Sequence, residues 1–152
     1  MNNIIQYFSE NGIEELEKIK LNFLKDPSHF EVCVMKVSGI FLKMACILIS
    51  ERLEECNTML EASLKRQSCW HIKDRCQKSI LTPDGTVYFT HTCFINKKTK
   101  ETAYLLDRIM GWKPHTRLSD GVKTRILEAA AQCTRKKVKY LYVEADENHI
   151  AL

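Results

Sequence analysis

The chain has 152 residues with a net charge of +4, and its 45% hydrophobic and 28% charged content is typical of a soluble globular protein. That length suits one ordinary domain with a buried core. Residues 71–140 hold 15 Lys and Arg against 6 Asp and Glu, so the positive charge is concentrated there. This distribution suits a polyanion such as DNA and equally suits a solvated basic face, so charge alone leaves both open.

The seven cysteines are an odd number without regular spacing, and no CxxC pair occurs among them. The N-terminal stretch MNNIIQYFSENG lacks the basic start and the apolar core of a signal peptide. Together these features indicate reduced thiols and a cytoplasmic location.

Residues 13–25 alternate Glu and Lys around apolar positions and predict a short amphipathic helix that Asp26-Pro27 ends. Ser28 and Glu31 have the spacing of a capping box and predict the start of a long helix that runs to about Arg66. Its residues 32–49 are apolar enough to resemble a membrane span. Because Lys36 and Lys43 lie inside them, we expect a broad-faced buried helix and no membrane partner.

One face of this long helix is apolar. A helix of this length is expected to pair, either with the helix over residues 13–25 or with a second copy of the chain. A stand-alone dimerisation module is therefore one functional hypothesis, with a homodimer through this helix as its assembly. The face comprises Phe30, Val34, Val37, Phe41, Met44 and Leu48.

Residues 77–106 carry the clearest structural signal of the chain, an antiparallel meander. Asp84-Gly85 after Pro83 predicts a hairpin turn, and the polar residues 96–100 predict a second turn. Extended segments are expected at 80–81, 86–95 and 102–106, because β-branched and aromatic residues dominate the central run. The residues before the meander, 67–75, are expected to form a polar joint anchored by Trp70.

After the meander, residues 105–110 are expected to turn helical, and Ser119 is expected to cap a helix from Asp120 to about Gln132. A basic stretch, TRKKVK, follows. The strand from Tyr140 then ends in acidic residues, and a second strand begins at His149. The resulting fold class is α+β, with N-terminal helices, a central meander, a further helix and a C-terminal strand.

Two side-chain constellations invite a chemical interpretation. One is a set of thiols and imidazoles that fits no zinc ribbon or finger spacing. Within that set His91 and Cys93 share a strand face, but no third group orients them, so core packing is favoured over a nucleophile. The set comprises Cys69, His71, Cys76, His91 and Cys93.

The second constellation is acidic and lies at the end of the Tyr140 strand. Glu144 and Asp146 point to one face of that strand, and Glu147 points to the other. Carboxylates at a strand end are a usual way to hold Mg²⁺ for phosphoryl transfer. Such a site needs further carboxylates, and none follows, so a solvated strand end is the other interpretation.

Three segments, LTPDGTVYFTHTCFINKKTKETAYLLDRIMGW (81–112), HTRLSDGVKTRILEAAAQ (115–132) and KKVKYLYVEADENHIAL (136–152), together resemble the ISLre-two family of insertion-sequence transposases. That family is also catalogued as an uncharacterised protein family. The resemblance implies that the final strand opens an RNase H-like catalytic domain in which three separated carboxylates bind two metal ions. According to this resemblance, Asp146 corresponds to the first catalytic aspartate of that domain, and Glu144 is the alternative residue for the same role.

The resemblance also implies Mg²⁺ as the cofactor of the intact enzyme, bound in part by Asp146, and none for this chain. The second and third carboxylates would lie beyond Leu152, and a helix-turn-helix-like segment expected after Gln132 is missing here. We therefore expect an internally deleted and truncated transposase-like protein that is not an enzyme.

The same resemblance divides the chain into a helical region over 1–75, a meander with a helix over 76–134, and a catalytic-domain remnant over 135–152. DNA is the expected partner, and residual DNA binding is assigned to basic residues in the second turn and after the last helix. These are Lys97, Lys98, Lys100, Arg135, Lys136 and Lys137.

Overall fold

The structure is a computed structural model and describes residues 4–133, 142–143 and 150–151. Its N-terminal part is helical: α1 (Ile4–Tyr7), a π-helical turn (Phe8–Gly12) and α2 (Ile13–Lys25) follow one another directly. The predicted helix over 13–25 is thereby confirmed. Tyr7 is buried, and its ring receives the Lys43 ammonium 4.8 Å from the ring centroid.

Helix α3 (Phe30–Ala62) is the longest element, and a 3₁₀ turn (Pro27–His29) precedes it. The predicted Ser28 capping box is wrong, because Asp26 caps this turn instead. The Asp26 carboxylate accepts hydrogen bonds from the Ser28 N–H at 3.1 Å and the Ser28 hydroxyl at 2.6 Å. The helix also ends earlier than predicted, since Ser63 adopts extended backbone and caps the short helix α4 (Leu64–Cys69).

The expectation that residues 32–49 would be buried is wrong. Residues 27–62 are long and apolar enough to cross a membrane by length and composition, yet only 6% of the most apolar window is buried in the described chain. The reason is geometric. The sheet lies against the C-terminal half of α3, and the N-terminal half contacts α2, which covers one side of it.

Three antiparallel strands form the sheet, in the order β1 (Trp70–Thr82), β2 (Gly85–Asn96) and β3 (Thr102–Ala103). The predicted hairpin turn is confirmed, since Thr82 pairs with Gly85 and Gly85 takes the φ of +141° that glycine tolerates. The predicted polar joint over 67–75 is wrong. Residues 67–69 end α4, and residues 70–75 belong to β1, which pairs along its length with β2.

The core lies where α3 and the short helix α5 (Leu105–Met110) meet the hairpin. Val87 and Phe89 of β2 are fully buried, and Leu53 of α3 packs against them together with Ile80 and Leu106. The helical turn predicted over residues 105–110 is confirmed, and Gly111 ends it with a φ of +67°.

Side chains of α3 also cover the free edge of β2. The Ser50 hydroxyl accepts from the Tyr88 N–H at 3.2 Å, and the Glu54 carboxylate accepts from the Thr90 N–H at 2.7 Å. Two backbone donors are satisfied in this way ahead of the point where β3 begins to pair. Helix and strand are thus joined by polar contacts as well as by the core.

Helix α6 (Asp120–Cys133) follows a bridge between Leu81 and Leu118, and the Ser119 hydroxyl accepts from the Val122 N–H at 3.4 Å, as its predicted capping role requires. Beyond it, β4 (Tyr142–Val143) and β5 (Ile150–Ala151) pair antiparallel. The α+β class is therefore confirmed. The RNase H-like nature of the C-terminal strands and the domain division at residues 75 and 134 stay predictions.

Candidate functional site

The predicted DNA-binding lysines lie in the turn between β2 and β3. Asn96 builds this turn, because its side-chain oxygen accepts from the backbone N–H groups of Lys98 at 2.9 Å and Thr99 at 3.1 Å. Lys100 adopts a φ of +60° and donates its N–H to the Asn96 carbonyl. The Lys98 and Lys100 side chains are exposed as a result, and that of Lys97 is half-buried.

The same end of the sheet carries two further lysines. The Lys97 N–H donates to the Cys69 carbonyl at 2.9 Å, which fixes the turn to the end of α4. Lys65 on α4 and Lys73 at the β-bulge of β1 are exposed as well. We call this set the basic end of the sheet; within the described residues none of its members forms an ion pair. It consists of Lys65, Lys73, Lys97, Lys98 and Lys100.

Nearby arginines are occupied within the fold. Arg75 binds the Glu61 carboxylate through two hydrogen bonds of 2.9 and 2.8 Å. Arg66 donates to the backbone carbonyls of Leu60 and Trp70. The lysines of the basic end can therefore bind a phosphate without breaking a contact of the fold, whereas Arg66 and Arg75 would have to give up their present hydrogen bonds.

The other predicted site residues are not placed. Arg135, Lys136 and Lys137 of the basic stretch lie outside the described residues, as do Glu144 and Asp146. Their assignment to DNA binding and to a vestigial metal site stays a prediction. Among the residues that the structure does describe, no group of three or more His, Cys, Asp or Glu side chains could hold a metal ion.

A buried polar cluster, which we call the Asp107 cluster, joins β1, β2 and α5. The Lys78 ammonium donates to both carboxylate oxygens of Asp107, at 3.0 and 2.9 Å. His91 Nε2 lies 2.8 Å from the Asp107 Oδ1, and because a carboxylate only accepts, this nitrogen carries the proton. Tyr104 stacks on the imidazole with ring centroids 3.9 Å apart and an interplanar angle of 6°.

The electrostatics of this cluster favour the ionised carboxylate. Burial by itself raises the pKa of Asp107, but the hydrogen bonds with His91 and Lys78, together with the Lys78 charge, hold that pKa below its usual value. Lys78 also lies 5.3 Å from the centroid of the Trp112 ring. The Trp112 ring thus borders the Lys78 ammonium, and the Tyr104 ring borders the imidazole that binds Asp107. Within the buried ion pair, the Lys78 ammonium and the Asp107 carboxylate each stabilise the charge of the other.

The cluster borders a cavity of about 240 Å³ that also contacts Cys76 and residues 114–117. The Cys76 thiol donates to the His91 backbone carbonyl at 3.5 Å, and the Cys93 thiol is directed at the Phe94 carbonyl at 4.0 Å. Neither thiol points to the imidazole. The arrangement is therefore that of a core polar cluster, as was favoured from the sequence.

Sequence reasoning missed Asp107, which orients His91 from sixteen residues away. No spacing rule connects a strand histidine with an aspartate in the first turn of a following helix. The signal that the sequence offers is an acidic residue in the first turn of the helix predicted over 105–110.

A family model matches most of the described chain. The model of an uncharacterised protein family, UPF0236, matches residues 24–135. The chain belongs to the UPF0236 family. The match covers the sheet, the Asp107 cluster and the basic end, whereas Asp146 lies outside it. The family description assigns no activity.

The curated relatives are UPF0236 proteins of Caldanaerobacter subterraneus subsp. tengcongensis. One is 22% identical over 178 aligned residues, which cover 93% of this UPF0236 chain and 38% of the relative. A second is 20% identical with the same coverage, and a third is 22% identical and covered over 36% of its length. The chain thus spans little more than a third of these relatives. No solved structure matches it.

The alignment with these relatives contains substantial gaps. A share of 93% of 152 residues is about 141 residues, spread over 178 aligned positions, so about 37 positions of the relative have no counterpart in this UPF0236 chain. The family match also ends at residue 135, beside the junction where the sequence predicts a missing segment.

Proposed function

We propose that this chain is a transposase-like protein of a mobile element, catalytically inactive as it stands, which binds DNA through the basic end of the sheet in the cytoplasm. The observation that carries the proposal is the turn of Lys97, Lys98 and Lys100, held open by Asn96 and without ion pairs among the described residues. Ammonium groups presented in this way suit a phosphate backbone, which supplies most of the affinity of sequence-independent binding.

Recurrence of the relatives within one genome supports the link to a mobile element. The name of one UPF0236 relative combines eleven gene designations of a single strain, and the name of another combines four. A gene that spreads by copying itself leaves this kind of record. The resemblance to the ISLre-two transposases gives the same interpretation, and the gapped alignment fits a copy that has lost an internal segment.

The proposal of inactivity rests on the number of carboxylates. Strand cleavage by two metal ions needs several carboxylates to hold both Mg²⁺ ions, since one ion activates the attacking water and the other stabilises the leaving oxygen. By resemblance, residues 1–152 contain one of these carboxylates, Asp146. Incubation with Mg²⁺ and duplex DNA is expected to give no cleavage, and cleavage abolished by Asp146→Asn would overturn this part of the proposal.

The DNA-binding part is tested by fluorescence anisotropy with a labelled duplex at several salt concentrations. We expect a dissociation constant on the order of 10⁻⁴ to 10⁻⁶ M that weakens steeply with salt, because bound phosphates release counterions. The triple variant of Lys97, Lys98 and Lys100 to Ala should reduce the salt slope by roughly three.

The matched control changes the same charge elsewhere. Substituting Lys18, Lys20 and Lys25 by Ala removes three cations from α2, which is not part of the basic end. Alanine is a good helix former, so α2 should stay helical in this variant. That variant should bind as the unmodified chain does. Equal losses in the two variants, or binding that is indifferent to salt, would contradict a site at the basic end.

A second candidate function is a helical interaction module that needs no nucleic acid. The exposed apolar surface of α3 favours it, with Phe30 and Phe41 more than half exposed. Sedimentation without DNA at several protein concentrations tests it, and a monomer throughout that range would contradict it.

A further inference from the structure

The N-terminal half of α3 carries an exposed apolar stripe with a regular spacing. Its members follow one another in steps of four, three, four, three and four residues, which is the a/d spacing of a helix that packs against another helix. Phe30 is 58% exposed and Phe41 is 53% exposed, although both side chains are large and apolar. Four members of the stripe are exposed, namely Phe30, Val34, Phe41 and Leu48, and two are half-buried, namely Val37 and Met44.

Helix α2 covers a different face of α3. Ile19 and Asn22 of α2 lie along Lys36, Ile40 and Lys43 of α3. At 3.6 residues per turn this covered face lies about 100° around the helix from the stripe. At the start of the stripe, Phe23 of α2 lies against Phe30, with ring centroids 6.3 Å apart. From Val34 onward the stripe is turned away from the face along which α2 lies, and the sheet packs further along α3, on residues such as Leu53.

We propose that the stripe binds the same stripe of a second copy of this chain, with the two α3 helices antiparallel. This deepens the second candidate function and does not rest on DNA binding. In antiparallel pairing about a two-fold axis, Val37 meets Phe41 of the second copy and Val34 meets Met44. Phe30 then meets Leu48. Each of these three pairs occurs twice about the two-fold axis, which gives six pairs along the interface. Four of the six combine a valine with a larger side chain, and such alternation fills the space between two helices evenly.

Two features favour the antiparallel orientation. The C-terminal half of α3 is acidic, with Glu51, Glu54, Glu55 and Glu61. A parallel pair would bring these carboxylates of the two copies side by side, whereas the antiparallel pair places them at opposite ends and overlaps only residues 30–48. Ser38 and Ala45 flank the stripe on one side, and such small residues let two helices approach closely.

The competing occupant is a lipid bilayer, because α3 is long and apolar enough to span one. Lys36 and Lys43 argue against it, since both residues are exposed and a lysine near the middle of a bilayer is unfavourable. A second copy is the occupant that the spacing of the stripe fits.

The experiment compares two single charges on the same helix by sedimentation of the full chain at several concentrations. Phe41→Glu places a carboxylate in the middle of the stripe, while Met35→Glu places one at a position that is 73% exposed and lies off the stripe. We expect a dimer for the unmodified chain and for Met35→Glu. The dimer dissociation constant of Phe41→Glu should rise by at least about tenfold, because burying an unpaired carboxylate is unfavourable.

Orientation is tested by Ser38→Cys. The two Ser38 positions face each other near the two-fold axis of an antiparallel pair, and they lie on opposite sides of a parallel one. Mild oxidation followed by peptide mapping should identify a disulfide that joins the two introduced thiols. Its absence from an otherwise dimeric protein would overturn the orientation.

A monomeric unmodified chain, or equal dissociation constants for the two glutamate variants, would overturn the pairing. Flotation with phosphatidylcholine vesicles that Phe41→Glu and Met35→Glu weaken equally would assign the surface to lipid and overturn the pairing too. The triple Lys97, Lys98 and Lys100 variant should still dimerise. Loss of DNA binding and loss of dimerisation can therefore be told apart.

Discussion

Lys78 and Asp107 form a buried ion pair in which the ammonium lies 3.0 and 2.9 Å from the two carboxylate oxygens, and both side chains are only 10% exposed. The pair joins the first strand of the hairpin to helix α5, and His91 adds the second strand through its own hydrogen bond to Asp107. One carboxylate thus connects three elements of the fold. A site of this kind fixes where the helix docks on the sheet.

Asp107→Ala should destabilise the fold strongly. Removing one partner of a buried pair leaves Lys78 charged without compensation, and such changes cost about 3–5 kcal/mol in the free energy of unfolding. Urea unfolding followed by circular dichroism measures the change. Glu101→Gln is the matched control, because it removes the partner of Arg108 at an exposed position and should cost at most about 1 kcal/mol. Similar losses in the two variants would show that burial does not decide the effect.

Stability should decline as the solution becomes acidic. The pKa of Asp107 is lowered by His91 and Lys78 against the effect of burial, and that of Glu61 is lowered chiefly by its hydrogen bond with Arg75. A carboxylate with a lowered folded pKa stabilises the fold above its unfolded pKa of about 4, and this contribution is lost as pH falls through the folded pKa.

The urea midpoint should therefore hold between pH 7 and about pH 5 and then fall below about pH 4 as these carboxylates protonate. Glu61→Gln should give a shallower decline, because it removes one of the carboxylates whose pKa is lowered in the fold. A midpoint that stays constant down to about pH 3 would contradict the assigned shifts.

Local signals in the sequence predicted most of the helices and the hairpin. The Asp84-Gly85 turn, the helix capped by Ser119 and the amphipathic helix over 13–25 each depend on neighbours within a few residues, so the sequence contains what is needed to find them. The start of β1 was missed because His71, Lys73 and Arg75 are exposed and carry no apolar alternation. That part of the strand exists because β2 is available to pair with it.

Two further errors have a tertiary cause. The apolar composition of α3 correctly predicted a helix whose side chains pack against another surface. Composition does not say whether that surface belongs to the same chain or to another molecule. For the site, the lysines of the β2–β3 turn could be found from the sequence, because a polar turn exposes its side chains. Asp107 could not, since its hydrogen bond to His91 is set by how α5 packs against the sheet.

Glu54→Ala should weaken the free edge of β2. The carboxylate accepts from both the N–H and the hydroxyl of Thr90, at 2.7 and 3.0 Å, and its loss leaves the backbone donor without a protein partner. We expect a cost of about 1–3 kcal/mol and faster hydrogen exchange of the Thr90 amide. Glu55→Ala, one residue along the same helix, removes only the exposed pair with Arg52 and should leave Thr90 protected. Unchanged Thr90 exchange in Glu54→Ala would contradict the contact.

Two glycine-to-alanine substitutions should change stability in opposite directions. Gly85 has a φ of +141°, and a Cβ there would lie 2.9 Å from the Cys46 sulfur, so Gly85→Ala strains the hairpin and displaces a side chain of α3. We expect a loss of about 1–3 kcal/mol. Gly39 lies inside α3, where an added Cβ would meet nothing within 4 Å, so Gly39→Ala should raise stability by about 0.5–1 kcal/mol through helix propensity.

Urea unfolding of both variants at one protein concentration checks this pair, since each adds the same methyl group and differs only in backbone conformation and surroundings. Gly39 lies off the apolar stripe of α3, so the substitution should leave self-association unchanged, which sedimentation measures independently. A gain in stability for Gly85→Ala would mean that the turn can adopt a different conformation, because alanine cannot relieve a positive φ without moving the backbone. A shift of the register between Thr82 and Gly85 would move the Val87 and Phe89 side chains out of the core, so we do not expect the strain to be relieved in that way.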